Sequence, residues 1–139
     1  MGKTLEKVFI RNLSDTFLYE NGHLKESEIR KIEIEAIVDT GAAYLCLPPK
    51  AINELGLPFA KSKPVTTGNG RIELKQFRGA EITIQDRTIE MQVMQNKDDT
   101  IPALIGFLVL EEMDLIVDTK KQKLIGNPEH NGEWIIDMY

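Results

Sequence analysis

The pentapeptide Val38-Asp39-Thr40-Gly41-Ala42 ends an apolar, β-branched stretch in a carboxylate, a hydroxyl and two very small residues. Upstream, Ile32, Ile34, Ala36 and Val38 alternate with Lys31, Glu33 and Glu35, which is the period-two pattern of a half-buried strand. The strand therefore runs straight into an acidic turn. Downstream, Tyr44 to Leu47 gives a short buried strand that Pro48-Pro49 stops, and Lys50 to Leu55, closed by Gly56, has room for one or two helical turns. Small residues after Asp39 leave space for another backbone to approach the carboxylate. Taken alone, Asp-Thr-Gly also suits an ordinary Asx-type turn at a strand end.

Working outward, Pro64 to Thr67 and Arg71 to Phe77 flank Gly68-Asn69-Gly70 and predict a long hairpin with a glycine-rich tip. Ala80 to Ile84 and Thr88 to Met94 predict two further strands. The apolar run Ala103-Leu104-Ile105-Gly106 is followed by a short helix over Phe107 to Met113. Strands are expected at Leu115 to Val117, Lys123 to Ile125 and Trp134 to Met138. At the start, Leu5 to Asn12, the turn-like Ser14-Asp15 and Thr16 to Tyr19 predict an antiparallel hairpin that ends near Asn21-Gly22. β signals recur throughout and helical signals are scarce, so the chain is read as all-β.

The sequence has 139 residues, 42% of them hydrophobic and 28% charged, close to the globular average. One domain spanning 1–139 is expected. The net charge of −5 at pH 7 gives no general attraction for phosphate backbones or anionic lipids, so neither nucleic acid nor membrane is an expected partner. The longest apolar stretch, Ile101 to Leu110, contains Pro102 and Gly106 and is about half a bilayer crossing. The first residues lack the apolar core of a secretion signal, which leads to an expected cytoplasmic location. Cys46 lies in an apolar run and reads as a small buried side chain, while His23 and His130 lie in polar turns and read as surface residues.

The order of the parts decides the chemistry. An acid strand ending in Asp39-Thr40-Gly41-Ala42, a glycine-tipped hairpin, an apolar strand ending in Leu104-Ile105-Gly106 and a short helix follow one another. In this the chain resembles the retropepsin-like aspartic peptidases, over roughly Ile32 to Ile125, with a motif-bearing core of about 30–126. The resemblance implies an all-β protomer, a closed barrel or β-sandwich with one short helix, working as a homodimer on a peptide or protein substrate, with no metal and no cofactor. It assigns catalysis to Asp39, Thr40 and Gly41, and substrate binding to Gly41, Ala42, Ile105 and the hairpin tip Gly68, Asn69 and Gly70. By the same resemblance the chain termini form an intersubunit sheet, in which Leu5, Phe9, Ile10 and the last strand would share; pairing of these strands within one chain is the equal alternative. Viral members commonly carry an arginine after the glycine corresponding to Gly106 and an acid two positions beyond the one corresponding to Gly41. Here those positions are Phe107 and Ala43.

The chemistry needs two carboxylates, and the chain has only one Asp-Thr-Gly. Asp118-Thr119-Lys120 is the nearest second candidate, but its lysine cannot make the close-packed glycine turn, and it is set aside. The resemblance therefore implies that each subunit supplies one Asp39 at a two-fold axis. The alternative is a homodimer of the same fold that binds or scaffolds peptides and never cleaves them.

Overall fold

The computed structural model describes residues 3–138. Nine strands and three short α-helices follow in the order β1 (Leu5–Asn12), α1 (Leu13–Glu20), β2 (Lys31–Val38), β3 (Leu45–Leu47), α2 (Pro49–Leu55), β4 (Phe59–Thr67), β5 (Gly70–Ile84), β6 (Arg87–Gln95), β7 (Ala103–Ile105), α3 (Phe107–Met113), β8 (Leu115–Asp118) and β9 (Lys123–Gly126). The main sheet runs β1-β2-β7-β3-β6-β5-β4, and an added pairing of β1 with β5 closes its first six strands into a barrel. The mostly-β expectation stands; α3 is the expected short helix, α2 is the expected one or two turns after Pro48-Pro49, and α1 is the helix that was not expected.

Alternation fills the barrel. Val8 and Ile10 of β1, Leu45 and Leu47 of β3, and Ile82 and Ile84 of β5 are fully buried, while their strand neighbours face outward. Each such side chain contributes about 1.5–3 kcal/mol of transfer free energy. Helix α2 lays Ala51, Ile52 and Leu55 on the barrel, and α3 lays Val109, Leu110 and Met113 on it.

Strand β5 has two halves that share β6 and differ in their other partner. Ala80 to Thr83 pair with β1 and β6 inside the barrel, whereas Gly70 to Phe77 pair with β4 in a hairpin that extends from it, with only Gln76 and Phe77 of that half also pairing with β6. A register shift between Phe77 and Ala80 separates the halves, and Gly79 occupies it with φ +79°, a backbone region in which a side chain is strained. The sequence places separate strands at Arg71 to Phe77 and Ala80 to Ile84; in the fold they are one strand carried through a bulge.

Two sequence expectations fail at the ends of the chain. Thr16 to Tyr19 belong to α1 and not to a hairpin strand. Asn12 caps this helix, its side chain accepting the Asp15 N–H (3.0 Å) while its amide donates to the Leu55 carbonyl (2.8 Å). Asp15 then holds Arg30 by two parallel bonds, Nε to Oδ2 at 2.8 Å and Nη2 to Oδ1 at 3.0 Å. These long-range bonds override the β propensity of Phe17 and Tyr19.

The expected last strand, Trp134 to Met138, is irregular and exposed. It is tied down by side chains instead of a ladder. Trp134 Nε1 donates to the Glu112 carbonyl (3.0 Å), and His130 bridges Asp114 (2.5 Å) and Asp137 (3.0 Å). At the other end, Leu5, Phe9 and Ile10 of β1 all pair with β2, and Phe9 to Asn12 pair with β5 as well, so these residues are already in an intramolecular sheet. No helix among the described residues is long and apolar enough to cross a membrane.

Candidate functional site

Strand β7 inserts between the two strands that flank the acidic turn. It runs parallel to β2, pairing Val38 with Ile105, and antiparallel to β3, pairing Leu45 with Ile105. The loop from Asp39 to Tyr44 must therefore cross over the end of β7, where four main-chain hydrogen bonds hold it. Asp39 N–H donates to the Ile105 carbonyl (2.9 Å), Gly106 N–H to Tyr44 (3.0 Å), Phe107 N–H to Ala42 (2.9 Å) and Leu108 N–H to Ala43 (3.0 Å). The last two donors are free N–H groups of the first turn of α3, which a helix leaves without internal partners.

Gly106 is what allows this approach. A Cβ at that position would lie 2.5 Å from the carbonyl oxygens of both Ala43 and Tyr44. Where the resemblance leads one to expect a charged pair, Ala43 and Phe107 instead sit in a lattice of backbone bonds.

Within the loop, the Asp39 carboxylate accepts the Gly41 N–H on Oδ1 (2.9 Å), and the Ala42 N–H closes a turn on the Asp39 carbonyl (3.0 Å). Asp39 is half-buried, whereas Thr40 and Gly41 are exposed. The result is one carboxylate, oriented by its own turn and presented at the surface of a rigid loop. Beside it the Cys46 thiol is pushed up to about 11, mainly by burial and secondly by the charge of Asp39. Cys46 is thus a protonated, half-buried side chain, in keeping with the sequence reading.

The hairpin of β4 and β5 meets the same loop. A cavity of about 360 Å³ lies between Gly41 to Tyr44 on one side and Lys63, Val65 and Leu74 on the other, with Cys46 and Met94 in its wall. Lys63 Nζ donates to the Tyr44 hydroxyl (2.7 Å) and stands 4.9 Å from the ring centroid. The Lys63 ammonium is the main cause that lowers the Tyr44 hydroxyl pKa, with Gln76 and Lys61 adding to it.

The expected site residues thus divide. Asp39, Thr40, Gly41 and Ala42 share one loop, held by the main chain of Ile105. The Ile105 side chain is fully buried, so it supports the loop from behind and offers no surface to a ligand. The hairpin tip, Gly68, Asn69 and Gly70, is exposed, with Asn69 N–H bonded to Thr67 Oγ1 (3.2 Å) and Thr67 Oγ1 donating to the Gly70 carbonyl (2.8 Å). Asp118 accepts the N–H groups of Lys120 and Lys121 in the turn between β8 and β9, an ordinary hairpin role.

The family model described as gag-polyprotein putative aspartyl protease matches residues 26–112. The chain belongs to this family. The match takes in β2, the acidic loop, the hairpin, β7 and most of α3, which are the elements that build the site. No curated protein matches the chain. Membership in the gag-polyprotein protease family accounts for an acidic loop on an all-β barrel, and at that coarse level supports a peptidase. Sequence reasoning missed the Lys63–Tyr44 contact. A lysine on the same strand face as an apolar residue, in Lys63-Pro64-Val65, was the available signal, but its partner is 19 residues away.

Proposed function

We propose that two copies of the chain form a homodimeric aspartic endopeptidase, in which one Asp39 from each subunit faces the other across a two-fold axis. The observation that carries the reading is the Asp39 turn itself: a single carboxylate, oriented by the Gly41 N–H and fixed to the junction of β7 and α3. Such a rigid loop supports preorganised chemistry. One carboxylate per chain supports a site completed by a second copy.

Two carboxylates a few ångströms apart cannot both ionise cheaply, so the pair holds one proton. The ionised member takes a proton from a bound water as its oxygen attacks the peptide carbonyl carbon. The protonated member donates its hydrogen bond to the carbonyl oxygen, which becomes the negative centre of the tetrahedral intermediate. Collapse breaks the C–N bond, with a proton passed to the leaving nitrogen, and yields a carboxylic acid and an amine. Either Asp39 takes either role, because the pKa values belong to the pair.

In this reading the exposed Thr40 hydroxyl reaches the opposite subunit's turn and stiffens the pair. Gly41 and Ala42 offer main-chain groups to an extended peptide. The tip Gly68, Asn69 and Gly70 folds over that peptide as a flap and sheds water, with the bulge at Gly79 as the point about which the hairpin bends. Ile105 keeps a positioning role through its carbonyl.

The test is digestion of a peptide library by the wild type and by Asp39→Asn, with the oligomeric state of both measured by light scattering. The wild type should cleave as a dimer, with a rate that falls on both sides of an acidic optimum. Asp39→Asn should stay folded and lose turnover by at least a thousandfold. Wild-type activity in Asp39→Asn, or cleavage by a monomer, would end the proposal; a dimer that holds peptides and never cuts them would leave a binding module.

A further inference from the structure

The hairpin is charged differently from the rest of the chain. Residues 59–77 carry Lys61, Lys63, Arg71 and Lys75 against Glu73 alone, a net charge of +3 within a chain whose net charge is −5. Lys61, Lys63 and Val65 share one face of β4 by strand alternation, and Lys63 and Val65 line the cavity beside the acidic loop. The other walls, Cys46, Leu74, Met94 and Ala42, are apolar. No ion pair among the described residues involves Lys61 or Lys63. The Lys63 ammonium has three donors, of which the Tyr44 hydroxyl takes one. A half-buried cation with donors to spare, at the edge of an apolar cavity, suits a ligand with a hydrocarbon stem and an anionic tip.

We propose that this cavity is a specificity subsite for an acidic side chain, glutamate in the first place, of a peptide lying across the Asp39 loop, with Lys63 as the residue that reads the charge. The inference rests on the peptide-cleaving reading above and narrows its substrate to acidic peptides. The Tyr44 hydroxyl accepts from the ammonium on the loop side and so holds the cation beside the acidic loop. Lys61, on the same face and exposed, adds long-range attraction for an acidic substrate.

The experiment compares matched peptides that differ only in Glu against Gln, scanned through each position around the scissile bond at pH 5.5, where a glutamate side chain is ionised. Wild type is expected to favour Glu over Gln by about tenfold in kcat/KM at one position, a difference of about 1.4 kcal/mol. In Lys63→Met that ratio should fall to near one, and Lys63→Arg should restore most of it. Thermal unfolding of each variant shows whether the fold has been kept, and the ratio is independent of how much active enzyme survives. Binding of the same peptide pair to Asp39→Asn, read by fluorescence anisotropy, separates recognition from cleavage.

Efficient cleavage with no preference for Glu, or a preference that persists in Lys63→Met, would overturn the subsite and leave the peptidase standing. Lys63-dependent binding of the Glu peptide with no cleavage in the wild type would uphold the subsite and overturn the peptidase. Neither binding nor cleavage would overturn both.

Discussion

Replacing Gly106 with alanine tests whether the acidic loop is held in the way described. The added Cβ would lie 2.5 Å from the Ala43 and Tyr44 carbonyl oxygens, closer than real Cβ atoms come to such atoms. An ordinary carbon–oxygen contact is about 3.3 Å or more, so the loop and the start of α3 must part by roughly 0.8 Å. The bonds from Gly106, Phe107 and Leu108 to Tyr44, Ala42 and Ala43 measure 3.0, 2.9 and 3.0 Å, and that shift takes them past hydrogen-bonding range. Overpacking costs about 1–3 kcal/mol, and two or more weakened bonds add about 1 kcal/mol each. The expected loss is about 3–5 kcal/mol, a large share of a typical domain's stability, and a fall in Tm of roughly 10–20 °C.

Urea unfolding followed by circular dichroism, at one protein concentration, measures it directly. Gly68→Ala is the control. Nothing lies within 4 Å of a Cβ at Gly68, so that variant should stay within about 0.5 kcal/mol of the wild type. A Gly106→Ala loss below about 1 kcal/mol would refute the claim that backbone contact at this glycine fixes the Asp39 loop.

Two further predictions concern pH. Arg30 holds the Asp15 carboxyl below its ordinary 3.8, so Asp15 contributes stability above that value, which is lost as pH falls through its lower folded value. Asp15→Asn should therefore flatten the decline in unfolding free energy below about pH 4 that urea titrations of the wild type show, and Asp15→Ala should cost about 2–3 kcal/mol at pH 7. His130 is raised from its ordinary 6.5, first by Asp114 and then by Asp137, so the tether of the last residues is fully made below 6.5 and is lost as pH rises through the raised value. Amide exchange over residues 130–137, corrected for intrinsic rates, should quicken across that rise in the wild type and show no such step in His130→Gln.

Much of the site was legible because its signals are local. Asp39 to Ala42 and Ala103 to Gly106 each combine strand alternation with small residues at the point where backbones meet, and their order along the chain carries the topology. Helix α1 was misread because Phe17 and Tyr19 favour strands, while what fixes the helix is Asn12 and Asp15 reaching Leu55 and Arg30. The last segment alternates as a strand should, yet it joins no ladder and is held by the Trp134 and His130 side chains instead. His130 read as a surface residue because its partners Asp114 and Asp137 are brought together only by the fold. Lys63 and Tyr44 likewise meet only when the hairpin and the loop are both in place.

Closure of the barrel has a consequence for crowded solutions. Six strands satisfy one another around the ring, and β4 is left at the end of the main sheet with one side of its ladder unpaired. Such a margin is where molecules zip together into fibrils. Pro64, midway along β4, has no N–H to donate, and Lys61 and Lys63 set like charges opposite one another in a parallel in-register self-pairing or an antiparallel one centred on Ser62. The same lysines that would greet an acidic guest thus discourage the protein from templating its own precipitation.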